Sequence, residues 1–149
     1  VHDMKREFPN MHLSVNGGVG DISQCSQHLD RGLDGVMVGR SAYQTPFAML
    51  SEVDQRIFGK PGGKTALEVG HAMTPYIDAH VSGGGRIHQV TRHMFGLFAG
   101  QPGARNWRQS LTRIGSDQAS TVRDYVALLD DMAEKAAAAQ EYLQQMGAG

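Results

Sequence analysis

Short apolar runs that end at glycine alternate with helical spacing along residues 1–60 of the chain. Met11 to Asn16 is an apolar run that stops at two glycines. Gly35 to Val38 is a second run without polar alternation, which is typical of a parallel strand covered on both faces. Between the two runs, Asp21 and Gln24 have the spacing of a capping box, and Gly32 is a natural helix end. The pattern predicts strand, helix, strand, helix, which is part of a larger parallel sheet.

Helical signals follow the second predicted strand and then stop at a linker. Thr45 and Pro46 have the pattern of an N-cap followed by proline at the first helical position. Residues 59–64, Gly-Lys-Pro-Gly-Gly-Lys, have the composition of a linker. We therefore expect one domain over residues 1–59 and another over residues 60–149.

Beyond the linker, apolar residues recur every three or four positions, which is typical of helices, and no strand pattern is present. The predicted helices cover residues 66–81, 87–98 and 104–114. A long last helix is predicted to begin at Asp117 and to fray at the final Gly-Ala-Gly. We expect these helices to pack as a small antiparallel bundle.

Composition excludes several classes of protein. A chain of 149 residues with 40% apolar content is long enough for one domain or two small ones with a core. No stretch approaches about 18 consecutive apolar residues, so we expect no membrane span. The single cysteine, Cys25, excludes an internal disulfide and is compatible with a reducing cytosol, so we expect a cytoplasmic protein. The charged start at Val1, without an initiator Met, is interpreted as a cut edge with further sequence upstream.

Both predicted strands end at residues whose backbone a ligand can approach closely. Glycine has no Cβ, and the free N–H groups at a helix start favour an anion. The guanidinium of Arg40 adds a fork that suits phosphate oxygens. Glycines that only permit tight turns are the alternative interpretation, but the last two strands of an eight-stranded parallel barrel use such turns to bind phosphate. We therefore predict a phosphate site over Gly17, Gly18, Gly39 and Arg40, with Asp21 pointing aside.

A long stretch of the chain, residues 79–116, contains no Asp or Glu. It carries five arginines, so the remaining residues have a net charge of -6 in a chain whose total is -1. Such segregation is typical of polyanion binding, and arginine rather than lysine favours contact with phosphates and bases. A solvated basic face is the alternative. We predict nucleic-acid binding by two residues that share a helix face, Arg105 and Arg108, and by two on the polar side of the preceding predicted helix, Arg92 and His93.

Other chemistry-bearing residues predict no further site. Cys25 lies at helical spacing from apolar neighbours and is interpreted as a core residue rather than a nucleophile. The histidines lack the partner spacing of metal ligands, so we expect no metal. No general acid or base with a named partner is evident, and we predict no catalytic residue in the chain.

Four segments of the chain together resemble one known family. They are VNGGV at 15–19, LDGVMVGRSAYQTPFAML at 33–50, VDQRIF at 53–58 and RHMFGLFAGQPGARNWRQSL at 92–111. In this order the chain resembles the C-terminal half of a tRNA-dihydrouridine synthase of the A subfamily. The resemblance implies an α/β chain made of the last two strands of a flavin-binding TIM (β/α)8 barrel, followed by an all-α tRNA-binding bundle.

The resemblance also implies the chemistry. In the family, NADPH reduces FMN, and the flavin delivers hydride to C6 of an extruded D-loop uridine to give 5,6-dihydrouridine. By subfamily analogy, the uridines are those at positions 20 and 20a of the tRNA. The implied FMN-phosphate contacts are Asn16, Gly17, Gly18, Gly39 and Arg40, and the implied tRNA contacts are Arg105 and Arg108.

The chain departs from the family pattern in two respects. The family's proton-donating cysteine, and a lysine and a histidine near the flavin ring, belong to the half of the barrel that is not matched here. Cys25 does not occupy the catalytic position, so we expect the chain alone to be inactive. The helix between the glycine turns is also one residue longer than usual, at Gly32-Leu33.

Two other functions remain open on the residues alone. A non-flavin TIM-barrel enzyme that binds a sugar phosphate through the same two turns explains residues 13–43, but gives no role to the arginine-rich helices. A non-catalytic RNA-binding helical module would use only residues 65–149.

Overall fold

The computed structural model describes residues 1–147, and the chain divides into two compact units, Val1–Gly63 and Lys64–Gly149. The first unit combines a two-stranded parallel sheet with short helices. Its elements in chain order are α1 (His2–Glu7), β1 (Ser14–Asn16), α2 (Ile22–Asp30), β2 (Gly35–Met37), α3 (Arg40–Gln44), α4 (Pro46–Leu50) and α5 (Val53–Arg56).

Strands β1 and β2 are parallel neighbours, as the sequence predicts, and Asn16 pairs with Met37 at their carboxyl ends. Both strands are shorter than predicted. Ahead of β1, the backbone N–H of Leu13 donates to the Asp34 carboxylate at 2.8 Å, so a side chain replaces a strand partner there. Because the strands are parallel and in register, the chain leaves both of them at the same edge of the sheet.

Helix α2 begins and ends where the sequence predicts. Asp21 is its N-cap, and the Asp21 carboxylate accepts from the Gln24 N–H at 2.9 Å. The Gln24 side chain accepts from the N–H of Gly20 instead of Asp21, so only half of the predicted capping box forms. After the C-cap residue Arg31, Gly32 has a φ of 88°, which favours glycine.

The core of the first unit is small and apolar. Its buried members are Val19, Ile22, Cys25 and Met49, with partly buried side chains such as Val36 packed around them. Cys25 is therefore a core residue, as predicted, and burial raises the pKa of its thiol.

The second unit consists of helices and turns, without a strand in the part that the structure describes. The helices predicted over residues 66–81 and 104–114 are present and extend slightly further. No helix within residues 1–147 is long and apolar enough to cross a membrane. The elements are α6 (Ala66–Ser82), α7 (His88–Thr91), α8 (Ala104–Ser116) and α9 (Val122–Gly147).

The predicted helix over residues 87–98 is wrong beyond its first turn. Helix α7 ends at Thr91, and the chain continues as successive turns in which Met94 N–H bonds to Thr91 O and Leu97 N–H to Met94 O. The carbonyl of Met94 also accepts from the indole Nε1 of Trp107 at 2.8 Å. In these turns each backbone N–H bonds to the carbonyl three residues earlier, so side chains face the core at nearly the same interval as in an α-helix. Apolar spacing alone therefore does not distinguish such turns from a helix.

The last helix begins at Val122 rather than at Asp117, so that predicted boundary is also wrong. Asp117 is the C-cap residue of α8. The carboxylate that bonds to the backbone at the start of α9 is that of Asp124, which accepts from the N–H of Thr121 at 2.8 Å. The described helix reaches Gly147, and the rest of the predicted frayed Gly-Ala-Gly lies outside the described residues.

The core of the second unit is centred on Trp107, which is 0% exposed. Its ring lies 4.7 Å from that of Phe98 and 6.1 Å from that of Tyr125, centroid to centroid. The hydroxyl of Tyr125 donates to the carbonyl of Gly70 at 2.8 Å. A Cβ on Gly70 would lie 2.6 Å from Leu129, so glycine allows α6 and α9 to approach closely.

Candidate functional site

An open pocket of about 510 Å³ lies at the carboxyl ends of β1 and β2. The two loops that follow the strands form its rim, because the parallel register brings both strand ends to one edge. All five residues that the sequence assigns to a phosphate site line this pocket: Asn16, Gly17, Gly18, Gly39 and Arg40.

The first loop exposes backbone that only glycine readily provides. Gly17 and Gly18 have φ angles of 110° and 76°, where L side chains are strained. A Cβ at either position would meet no atom within 4 Å, so the space beside both residues is open. Both glycines are therefore required by backbone conformation, and both leave room for a bound group.

The two loops are joined by a side chain that the sequence pattern did not indicate. Ser41, in the first turn of α3 just after the second strand, donates its Oγ hydrogen to the carbonyl of Val19 on the first loop at 3.0 Å. Val19 is in turn a member of the small core. This bond fixes the rim of the pocket, and no local sequence signal identifies a partner 22 residues earlier in the chain.

The electrostatics of this pocket favour an anion. Arg40 is its only charged lining residue within residues 1–147, and its guanidinium forms no ion pair in that range. The nearest capping carboxylate, Asp21, is engaged by the N–H of Gln24 and does not line the pocket. An exposed arginine beside bare backbone is suited to phosphate oxygens.

The residues assigned to nucleic acid lie on exposed surface of the second unit. Arg105 and Arg108 are both exposed on α8, without an ion-pair partner in the described chain. Arg92 and His93 lie just past the end of α7, not on the helix face predicted, and Arg92 Nε donates to His93 Nε2 at 3.1 Å. The indole of Trp107 bonds to the carbonyl of Met94, the residue after His93, and holds this segment against α8.

A second pocket, of about 400 Å³, lies between α8 and α9. None of the four predicted nucleic-acid residues lines it, and its charged residues have both signs, as with Arg113 and Asp124. At one end, the Asn106 side-chain amide donates to the Asp131 carboxylate at 2.6 Å. The described residues contain no cluster of three His, Cys, Asp or Glu that is able to hold a metal ion.

The fold and the sites define an α/β unit with a pocket lined by glycines and Arg40 at its strand ends, followed by a helical unit with exposed arginines. The chain matches Dihydrouridine synthase (Dus) over residues 1–141, and it belongs to that family. The resemblance seen in the sequence is confirmed.

The curated proteins that are similar to this chain are named tRNA-dihydrouridine(20/20a) synthases. The tRNA-dihydrouridine(20/20a) synthase of Shewanella oneidensis is 50% identical over 75% of this chain and 33% of its own length. That of Pseudomonas syringae pv. tomato is 47% identical over 75% and 33%. That of Salmonella typhi is 45% identical over 80% and 37%. The chain spans about a third of the length of the curated relatives it matches.

Proposed function

We propose that the protein containing this chain is an FMN-dependent tRNA-dihydrouridine synthase. It reduces D-loop uridines, at positions 20 and 20a by analogy with the relatives, to 5,6-dihydrouridine with NADPH as the reductant. When bound, FMN supplies the hydride that the protein's own side chains lack. The observation that carries the proposal is the pocket that brings both glycine turns and Arg40 together in a member of this family.

The pocket fits the phosphate end of FMN. The guanidinium of Arg40 is free to form two parallel bonds to phosphate oxygens. The open backbone at Gly17, Gly18 and Gly39 lets the phosphate approach the N–H groups, and the Asn16 amide borders the same space. Asp21 is held at the start of α2, so its charge is directed to the helix N–H groups instead of the phosphate.

We propose that residues 1–59 form the last two strand–helix units of a TIM barrel. β1 and β2 form a two-stranded sheet in the described chain, so one side of each strand is unpaired. A pair of parallel strands with two free edges is only marginally stable alone, and a closed barrel has no free edge. Phosphate binding by the last two loops of such a barrel is a recurring arrangement.

Residues 60–149 form the tRNA-binding helical domain of the proposed enzyme. Arg105 and Arg108 contact the RNA backbone, and Arg92 and His93 provide further exposed basic side chains in the same unit. A uridine inside a stacked helix is out of reach of a flavin, so the RNA has to be held while the base is extruded. Exposed arginines on a rigid helix suit that role.

The chain by itself is proposed to be inactive. Its one cysteine, Cys25, is buried in the core of the first unit with a raised thiol pKa, and it does not line the phosphate pocket. It is therefore unable to donate a proton to a uridine bound near that pocket. An assay of the 149-residue chain with FMN, NADPH and unmodified tRNA is expected to give no dihydrouridine; product would contradict this assignment.

Reciprocal substitutions in the full-length protein test the two binding roles. Arg40→Ala is expected to weaken FMN binding and to leave the affinity for tRNA unchanged. The double variant Arg105→Ala with Arg108→Ala is expected to do the reverse. The slope of its log Kd against log salt concentration should fall by roughly one for each phosphate that the protein no longer neutralises.

Two exposed arginines serve as matched controls. Arg31→Ala removes a charge from the first unit away from the phosphate pocket, and Arg123→Ala removes one from α9. Neither variant is expected to change FMN affinity or the salt slope for tRNA. If Arg40→Ala and the double variant both lost both ligands equally, general unfolding would be the better account.

A non-catalytic RNA-binding module is the second candidate. One observation favours it: the second unit has its own core around Trp107, independent of the first. This function predicts that residues 65–149 bind tRNA alone, with steep salt dependence. Loss of that binding on removal of residues 1–58 would refute it.

A further inference from the structure

The first turn of α8 carries Arg105 and is held weakly by its own helix. Its N-cap is Gly103, which has a φ of 81° and provides no side-chain cap. The first α-helical backbone bond is donated by Trp107 to Gly103 at 2.9 Å. A helix start without a side-chain cap frays more readily than one with Ser, Thr, Asp or Asn at the N-cap. The position of Arg105 therefore depends on another contact.

Asn106 supplies that contact. Its Nδ2 donates to Asp131 Oδ2 on α9 at 2.6 Å, while the other oxygen of Asp131 accepts from Lys135. A Cβ on Gly103 would lie only 3.0 Å from Met132, so the start of α8 lies directly against this part of α9. The bond of Asn106 thus joins the turn to a helix that lies beside it.

The order Arg-Asn-Trp-Arg explains how one bond orients two arginines. At about 100° per residue, the mean direction of Asn106 and Trp107 is about 180° from the mean direction of Arg105 and Arg108. Asn106 and Trp107 are both bonded inward, to Asp131 and to the carbonyl of Met94. Arg105 and Arg108 are consequently exposed.

We propose that Asn106, held by Asp131, is a positioning residue that keeps Arg105 and Arg108 directed toward the tRNA backbone. This rests on the proposed function of that surface. Asn106 itself need not touch RNA. A turn that is already ordered loses less conformational entropy when its arginines bind phosphate, and affinity is higher for that reason. Trp107 fixes one side of this turn in the core, and the bond of Asn106 attaches the turn to α9 as well.

The test measures tRNA affinity of the 149-residue chain after Asn106→Ala. We expect Kd to rise roughly threefold to tenfold, because the turn loses its hydrogen bond to α9. A tenfold change in Kd corresponds to about 1.4 kcal/mol. Ser110→Ala is the matched control, because Ser110 lies one turn along the same side of α8 and borders the same pocket as Asn106. The control should leave Kd unchanged. Trp107 fluorescence verifies that each variant is folded.

A double-mutant cycle separates positioning from general stability. In the Arg105→Ala, Arg108→Ala background, Asn106→Ala is expected to have no further effect on Kd, because the residues it orients are gone. An equal effect in both backgrounds would overturn the inference. If the arginine substitutions alone did not change Kd, the proposed RNA surface would fail instead.

Exchange of the two partners gives a rescue. The combination Asn106→Asp with Asp131→Asn reverses donor and acceptor and keeps the net charge. We expect its Kd to return to within about twofold of the original, because either direction of one hydrogen bond holds the turn. Failure of the exchanged pair to recover affinity while Trp107 fluorescence is native would also overturn the inference.

Discussion

The two units differ in how much apolar surface each buries by itself. The core cluster of the first unit has four buried members, and large apolar side chains such as Phe8, Met37, Leu50 and Phe58 are exposed. The largest fully buried apolar side chains among the described residues all lie in the second unit. These are Trp107, Tyr125, Ile77, Leu111, Leu129 and Met132, each less than 2% exposed.

This difference corresponds to a division of roles. Burial of one large apolar side chain stabilises by about 1.5–3 kcal/mol, so the second unit has far more stabilisation of its own. Its proposed RNA contacts are therefore attached to a rigid support. The proposed phosphate pocket belongs to the unit with the smaller core, and a bound phosphate would stabilise that unit through binding linkage.

The chain provides one natural reporter in each unit. Trp107 is its only tryptophan and reports on the second unit through fluorescence. Cys25 is its only cysteine, and because it is buried, its rate of alkylation reports on opening of the first unit.

The largest expected effect is that of Trp107→Ala. Removal of this fully buried ring should lower the free energy of unfolding of the second unit by about 3–5 kcal/mol, because it leaves a cavity lined by Phe98 and Tyr125. Amide hydrogen exchange in α6, α8 and α9 measures the loss. Alkylation of Cys25 should keep its rate.

Phe58→Ala is the control for this prediction. Phe58 is an aromatic residue of the first unit that is 63% exposed, and its removal should change stability by no more than about 0.5 kcal/mol. A parallel rise in the alkylation rate of Cys25 after Trp107→Ala would contradict separate unfolding of the two cores.

Local signals in the sequence were sufficient for most of the fold. Asp21 and Gly32 mark the ends of α2 because an N-cap and a left-handed glycine are local requirements. The prediction of a helix over residues 87–98 was wrong beyond its first turn because the path of the chain there depends on a partner that is distant in sequence. The indole of Trp107 bonds to the carbonyl of Met94, and no local spacing indicates that bond.

The residues of the candidate phosphate pocket could be selected from the sequence because their signals are also local. Glycine at a strand end is a local signal, and the parallel register of β1 and β2 was enough to bring Gly17 and Arg40 to one pocket. The bond of Ser41 to Val19 and that of Asn106 to Asp131 join residues that are distant in sequence. Such pairs become visible only when the loops and helices are in place.

An intermediate effect is expected from Tyr125→Phe. The change removes the hydroxyl that bonds to the Gly70 carbonyl and leaves that carbonyl buried without its partner. The second unit should lose about 1–2 kcal/mol in free energy of unfolding. Denaturant titration followed by Trp107 fluorescence measures the loss.

Tyr142→Phe is the matched control, because Tyr142 lies on the same helix and is 61% exposed. It should shift the fluorescence midpoint little. Equal shifts for the two variants would show that the hydroxyl of Tyr125 contributes nothing through its buried bond. Burial raises the pKa of Tyr125, so its hydroxyl stays protonated as a donor at neutral pH.

The smallest effect is expected at Asp34, in the first unit. The N–H of Leu13, and next the ammonium of Lys5 at 2.7 Å, hold the pKa of the Asp34 carboxyl below its usual range. A depressed pKa stabilises the fold above the ordinary aspartate value of about 3.9, and that stabilisation is lost as pH falls through the lower folded value. Asp34→Asn should therefore lower the free energy of unfolding of the first unit at pH 6. The loss should be smaller than that caused by Tyr125→Phe in the second unit, because Asp34 is exposed and screened by solvent.

Hydrogen exchange of the β1 amides, Ser14–Asn16, measures this effect at pH 6 and again at pH 3 after correction for intrinsic rates. The difference between Asp34→Asn and the original chain should be smaller at pH 3, because this pH lies below the ordinary aspartate value of about 3.9, where the stabilisation from the depressed pKa is being lost. Asp30→Asn, which alters an exposed carboxylate at the end of α2, is the control and should leave β1 protection unchanged. A difference that stayed constant between the two pH values would mean that the shape of the Asp34 side chain, and not its charge, holds Leu13 in place.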